Sequence, residues 1–314
     1  MRPIRGVNFG YCAPRGFTQR PAWRDSLHLM REQTACDTMV LSVAALQDHT
    51  YSTHIDYETP DVMSMEDVKT VCQEARSMGL RIILKAMVNC RDGYWRAYIR
   101  FFDHEEPCEP TWQQWFDSYT AFLCALAETA EEVQAEMLCV GCEMVGTDHR
   151  AADWRRLIQA VRARYHGLIT YNCDKYQEEQ VSWWDAVDVV SASGYYPIED
   201  IPQELERIAR FVRQVGKPYF FMECGCASRE GSEHLPNDWR FQGAQSNAAQ
   251  EKWCAAFTAG VRQHPELQGM VWWDWSARLY PPEKAETDSG YAIFGKPAAR
   301  TLRAFYEEWQ AREK

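Results

Sequence analysis

Glu143 and Glu223 are the residues in this chain best placed to do chemistry. Each closes a short apolar run that reads as a buried strand, Met137-Leu138-Cys139-Val140-Gly141 and Tyr219-Phe220-Phe221-Met222. A carboxylate at the tip of a core strand loses hydration, so it must find a partner or a task there. Two facing tips are what cleavage of a glycosidic bond asks for. One carboxyl protonates the departing oxygen and the other meets the developing positive charge at the anomeric carbon. A separation near ~5 Å gives retention through a covalent intermediate, whereas a wider gap admits water and gives inversion. The plainer alternative is an ion pair with a lysine or arginine at the rim. That reading suits one isolated glutamate better than two at matching strand ends.

Such tips need a scaffold, and short strands alternate with amphipathic helices along the whole chain. Strands are predicted at residues 6–9, 38–43, 81–85, 137–143, 168–171, 187–192, 219–223 and 269–273. Helices are predicted at 21–33, 64–78, 111–130, 151–165, 202–215, 246–261 and 297–309, with a short helical connection through Trp183 and Trp184. Ser64-Met65-Glu66-Asp67 has the form of a capping box, and Gly79 and Gly216 are natural helix stops. Eight strands alternating with eight helical segments imply an α/β protein whose parallel sheet closes as a (β/α)8 TIM barrel. The rival is a doubly wound open sheet. Its usual Gly-rich first turn is missing, since Gly10-Tyr11-Cys12-Ala13-Pro14-Arg15-Gly16 is not G-x-G-x-x-G. Without repeats or linkers, residues 1–314 are expected to form one catalytic domain.

In such a barrel the active site lies at the carboxyl ends of the strands. Those positions carry Asn8, Lys85, Glu143, Asn172, Tyr195, Glu223, Trp273 and Trp275, a polar and aromatic set with apolar strand interiors behind it. Tyr195 could hold a neighbouring carboxylate ionised through its hydroxyl. Sugar rings present apolar C–H faces that pack on indole, so Trp272-Trp273-Asp274-Trp275 is a candidate platform. On an alternating strand Trp273 and Trp275 share one face. Trp95 and Arg96, in the loop after strand three, are further candidate contacts, while Trp112, Trp115, Trp154 and Trp309 read as helix core.

A net charge of −11 argues against nucleic acid or an anionic membrane as partner and suits a neutral or cationic ligand. No apolar stretch reaches the ~18 residues of a membrane span and no secretory leader is legible. The twelve cysteines are therefore expected as free thiols in a reducing cytoplasm. Cys139-x-x-Cys142 has zinc-like spacing but Cys139 lies within a core strand, Cys224-x-Cys226 has the wrong spacing, and H-E-x-x-H is absent, so neither metal nor cofactor is expected. Oligomeric state is not legible.

Several motifs in order resemble clan A glycoside hydrolases, most closely glycoside hydrolase family 113. They are Ile83-Leu84-Lys85 followed by Asp92-Gly93-Tyr94-Trp95-Arg96, Val140-Gly141-Cys142-Glu143, Leu168-Ile169-Thr170-Tyr171 and Gly194-Tyr195-Tyr196-Pro197. Lys217-Pro218-Tyr219-Phe220-Phe221-Met222-Glu223, Trp273-Asp274-Trp275 and Gly295-Lys296-Pro297-Ala298 complete the set. The resemblance implies a (β/α)8 barrel and retaining hydrolysis of β-1,4-mannosidic bonds in an oligosaccharide. It implies Glu143 as acid/base, Glu223 as nucleophile, Tyr195 against the nucleophile, and Trp273 or Trp275 as floor of the −1 subsite. Two departures stand out. Cys142 occupies the place where many clan A members carry asparagine, and Lys85-Ala86-Met87-Val88 replaces a frequent Lys-Pro-His-Val. They leave two alternatives: another β-linked hexose or xylose oligomer as substrate, or a carbohydrate-binding barrel whose chemistry has lapsed.

Overall fold

The computed structural model describes residues 1–312. Its strands are β1 (Ile4–Phe9), β2 (Thr38–Gln47), β3 (Arg81–Cys90), β4 (Met137–Cys142), β5 (Leu168–Cys173), β6 (Val189–Ser193), β7 (Tyr219–Cys224) and β8 (Leu267–Trp275). They form a closed barrel in sequence order, with parallel pairing. Each predicted strand is present. The third runs five residues further than the apolar text alone implied, through Cys90.

Among the described residues seven α-helices return the chain: α1 (Ala22–Thr34), α2 (Met65–Ser77), α3 (Trp112–Glu132), α4 (Ala151–Arg162), α5 (Ile201–Val215), α6 (Asn247–Val261) and α7 (Pro297–Arg312). The α2 capping box forms as expected: Ser64 Oγ accepts from the Asp67 amide at 3.1 Å while Asp67 Oδ2 accepts from the Ser64 amide at 2.9 Å. Gly216 ends α5 in the left-handed region at φ 66°. The eighth helical segment, expected as a short connection through Trp183 and Trp184, is a 3-10 turn, Trp184–Ala186, in the loop that joins β5 to β6. Its two indoles do the covering that a helix would do. Trp183 stacks on Trp154 of α4 at 4.9 Å, and Trp184 donates to the Glu178 carbonyl at 2.8 Å.

The chain divides into two compact units. One comprises residues 1–11, 20–40 and 193 onward; the other comprises 12–19 and 41–192. The first holds β1, β7 and β8 with α1, α5, α6 and α7. Within it Trp253 of α6 stacks on Phe257, and the Tyr306 hydroxyl donates to the Gly6 and Met270 carbonyls at 2.8 and 2.9 Å. That phenol ties α7 to β1 and β8 at once. The second unit holds β3, β4 and β5 with α2, α3 and α4. Its core is aromatic: Trp115 stacks on Tyr119, whose hydroxyl reaches the Val140 carbonyl at 2.7 Å, and Trp154 packs on Tyr171. Gly141 makes this packing possible, since a Cβ there would lie 2.9 Å from Trp154 and 3.0 Å from Tyr171. Burying one such ring removes enough apolar surface to be worth about 3 kcal/mol. Among the described residues no helix is long and apolar enough to cross a membrane.

Candidate active site

Glu143 follows the last residue of β4 and is 8% exposed. Its amide donates to the Asn172 carbonyl of β5 at 2.8 Å, and its φ of 52° lies in the left-handed region. A non-glycine residue there costs on the order of 1 kcal/mol, so neighbours must hold it. The next residues do so. The Met144 amide donates to the Tyr171 hydroxyl at 3.1 Å, and Thr147 donates to the Met144 carbonyl through Oγ1 at 2.8 Å. Tyr171 in turn donates to Asp148 Oδ1 at 2.5 Å. The backbone that aims Glu143 therefore hangs on a tyrosine–aspartate pair buried behind it.

The Glu143 carboxyl meets two donors, Trp95 and Arg96, which the sequence offered as ligand contacts. Trp95 Nε1 lies 3.3 Å and Arg96 Nη1 3.2 Å from Oε2. Arg96 is itself fixed by the Val88 carbonyl at 2.9 Å and Asn89 Oδ1 at 2.7 Å. The ion pair weighed as the plain reading thus exists at Glu143, alongside its strand-end position. Asn172 stands next to Cys142, to whose sulfur its amide donates at 3.2 Å. The amide that Cys142 lacks is present one strand over. Lys85 is fully buried in β3, beside Cys139 in register.

Asp174 was not among the predicted residues. It lies two positions beyond Asn172, on the side of the chain that Asn172 takes if strand alternation continues. Burial pushes its carboxyl up to about 8, and the charge of Glu143 adds to that.

Glu223, within β7, is 4% exposed. Its carbonyl accepts from the Gly194 amide at 2.7 Å, and Tyr195 donates its hydroxyl to Oε2 at 2.9 Å, as expected of that tyrosine. Tyr195 meets Tyr291 edge-on at 6.2 Å, and the Tyr291 hydroxyl is anchored on the Pro236 carbonyl at 2.6 Å. Asn8 is the penultimate residue of β1. It is fully buried, and its Nδ2 donates to the Met222 carbonyl at 3.1 Å and towards that of Trp272 at 3.5 Å. It braces β1 against β7 and β8.

The two indoles of β8 part company. Trp273 is half-buried with its ring 4.8 Å from that of Tyr11, whereas Trp275 is 0% exposed. Trp275 donates Nε1 to Ser26 Oγ at 3.0 Å and packs edge-on against Phe294. The shared face expected from strict alternation is lost because the β1–β8 register shifts between Val7 and Phe9. The Trp273–Asp274 peptide in this stretch is cis. Lys296, from the Gly-Lys-Pro-Ala motif, is buried and binds Asp288 and Ser228 at 2.5 and 2.8 Å, so it braces the loops after β7 and β8.

The Glycoside Hydrolase Family 113 model matches residues 7–296. The chain belongs to glycoside hydrolase family 113. A family 113 β-1,4-mannanase, solved as a complex, is 42% identical over 98% of this chain and 99% of its own, with a TM-score of 0.97. A second family 113 β-1,4-mannanase structure is 43% identical over the same shares, at 0.96. The family 113 β-mannanase AaManA from Alicyclobacillus acidocaldarius, in complex with ManMIm, is 38% identical over 98% of both chains, at 0.93. No curated protein sequence matches.

For this family 113 glycoside hydrolase the pair behind Glu143 has a measurable consequence. Burial pushes Asp148 up to about 7, against the pull of the Tyr171 hydrogen bond, and its Oδ2 is buried without a hydrogen-bond partner. An anionic oxygen there would be costly, so the folded chain keeps the proton. Below the unfolded value of ~4 both states are protonated. From there up to about 7 the folded state alone holds the proton, so stability falls as pH rises and the contribution is gone above that value. The full span is on the order of 4 kcal/mol, and Asp174 acts with the same sign. Asp148→Asn keeps the acceptor for Tyr171 without the titration. Its melting temperature is expected to change less between about pH 5 and 8 than that of the parent. Parallel curves would show that Asp148 is not neutral in the folded state.

Proposed function

We propose that this chain is a retaining β-1,4-mannan hydrolase with Glu143 as acid/base and Glu223 as nucleophile. One observation carries the reading: each glutamate ends a barrel strand buried, with its own set of donors. The relatives at 38–43% identity, described as β-mannanases, point to mannan as the polymer. Glu223 attacks the anomeric carbon as the bond to the leaving oxygen breaks, and Glu143 gives its proton to that oxygen. Glu143 then takes a proton from water, whose oxygen displaces Glu223 and restores the starting configuration. The Tyr195 phenol favours an ionised Glu223, which suits a nucleophile.

Glu143 must hold a proton in the first half and lose it in the second. Arg96 favours the charged form, while charge on Asp174 disfavours it. Trp273, half-buried against Tyr11, suits the sugar-stacking floor better than Trp275, whose N–H is spent on Ser26. Glu143 moves every proton the cycle needs and Glu223 supplies the covalent bond, so no cofactor is invoked. We take the chain to work as one catalytic domain. A cytoplasmic location is supported by all twelve cysteines standing as free thiols.

Mannohexaose followed by proton NMR should release the β anomer first, with the α anomer growing in only through mutarotation. An α product at first sight would remove Glu223 as nucleophile. On a panel of β-1,4 manno-, gluco- and xylo-oligosaccharides the manno series should turn over fastest; faster cleavage of another series would overturn the sugar.

A further inference from the structure

Of the eight exposed large hydrophobic side chains among the described residues, five follow the carboxyl ends of β2, β3 and β5: Tyr51, Tyr94, Tyr98, Phe102 and Tyr176. Single exposed rings are ordinary on a protein surface, but such a concentration at one end of three strands is not. Tyr51 is 60% and Phe102 54% exposed. With Arg100, Phe101, Glu109 and Pro110 they line a pocket of about 330 Å³. That is at the lower end of small-ligand pockets, which run from ~300 Å³ upward.

The pocket walls are built rather than loose. Arg100 donates its amide to the Thr50 carbonyl at 3.2 Å, and Arg91 does so to Gln47 at 2.8 Å, which fastens the loop after β3 to the loop after β2. Gln47 is held in turn by the Trp115 indole at 2.9 Å and donates to the His49 carbonyl at 2.6 Å. His49 stacks on Tyr51 at 5.2 Å and 14° and is pinned by Asp92. The Tyr51 ring therefore stands exposed on a braced support, which lowers the ordering cost of stacking on it.

The same loop leads straight to the reacting end. Trp95, hydrogen-bonded to Glu143, meets Tyr98 edge-on at 5.9 Å, and the chain runs on through a 3-10 turn, Arg96–Tyr98, to Phe102. If Glu143 is the group that protonates the leaving oxygen, the departing part of the substrate lies on its side. A polymer leaving past Trp95 follows this aromatic loop. Apolar ring faces for sugar C–H groups, with a guanidinium and a carboxylate for hydroxyls, match a neutral hexose unit rather than an ionic ligand.

We propose that the Tyr51–Phe102 pocket is a distal subsite holding a mannosyl unit of the polymer on the leaving-group side of Glu143. It rests on the mannan-hydrolase reading above. The test uses the full chain and a Tyr51→Ala/Phe102→Ala double variant. Both are run through native gels with and without soluble β-1,4-mannan, and both are assayed on mannan and on an aryl β-mannobioside. The parent should be retarded by mannan and the double variant much less so. The ratio of kcat/KM on mannan to that on the aryl mannobioside should fall on the order of tenfold in the variant. Phe102→Trp, which keeps a stacking face, should stay close to the parent in both measurements. Equal retardation and an equal ratio in the double variant, with an unchanged melting temperature, would overturn the subsite. A drop in retardation unrelated to an aromatic face, with Phe102→Trp as impaired as the double variant, would overturn it too. Should the parent bind mannan through this pocket yet hydrolyse neither substrate, the subsite stands and the hydrolase reading falls.

Discussion

Glu223→Ala is expected to abolish hydrolysis of mannan, lowering kcat on the order of 10⁴-fold or more, the scale at which loss of a covalent nucleophile registers. The side chain is buried at 4% exposure and takes a hydrogen bond from Tyr195 at 2.9 Å. Removing it leaves the tyrosine hydroxyl short of that acceptor, which costs about 1–3 kcal/mol. A barrel with this much aromatic core should absorb that, so circular dichroism and the melting curve should report a folded chain. The decisive readout is chemical. Azide can fill the space vacated by the carboxylate and attack the anomeric carbon, while Glu143 still supplies the proton for the leaving oxygen. The product from a β-linked substrate is then the α-glycosyl azide. Residual activity within tenfold of the parent would remove Glu223 from the reaction, and a β-glycosyl azide would reverse the two roles.

What made Glu223 legible is a contrast any reader of the chain can find: a carboxylate closing an uninterrupted apolar run. The same contrast exposed Glu143, and the period-two and helical patterns around both were enough for the barrel. Tyr195 was legible for a related reason, since a hydroxyl just past the end of the preceding strand can hold a carboxylate ionised. The errors came where packing overrules periodicity. Strict alternation sends Trp273 and Trp275 to one face, but the register shift in β8 buries Trp275 against Ser26 and Phe294. Asn8 and Lys85 are buried, as Glu223 is, and Asn8 also ties β1 to the Met222 carbonyl, a contact that the strand-end pattern does not announce. The short helical connection expected between β5 and β6 is there as a 3-10 turn, with its two indoles packed inward.

Other parts of the site had no local signal at all. Asp148 and Tyr171 lie 23 residues apart, and only the fold brings them within 2.5 Å. Asp174 reads as one more surface acid in a polar loop. Its proximity to Glu143 follows from the pairing of β4 with β5, which sets Cys142 opposite Asn172. A pattern of residue types can announce a reacting group; the groups that tune it are chosen by proximity in the fold, and that proximity is not written along the chain.

Glu143 is where two readings make opposite predictions, because it is both a strand-end carboxylate and the partner of Arg96 at 3.2 Å. If it is the acid/base, Glu143→Ala should lower mannan hydrolysis by roughly 10²- to 10⁴-fold. The loss should depend on the leaving group. A dinitrophenyl β-mannoside departs without protonation, so its first step should survive and the glycosyl-enzyme should accumulate as a burst. Azide needs no general base and should restore turnover, giving the β-glycosyl azide, opposite in configuration to the product expected from Glu223→Ala. The pH profile should also lose the limb that reports this carboxyl. If Glu143 only neutralises Arg96, the variant leaves a buried guanidinium with one carboxylate fewer and destabilises the chain. The melting temperature would then fall while the activity that remains is reduced alike for every leaving group, with no burst and no response to azide. That pattern would sink the acid/base assignment.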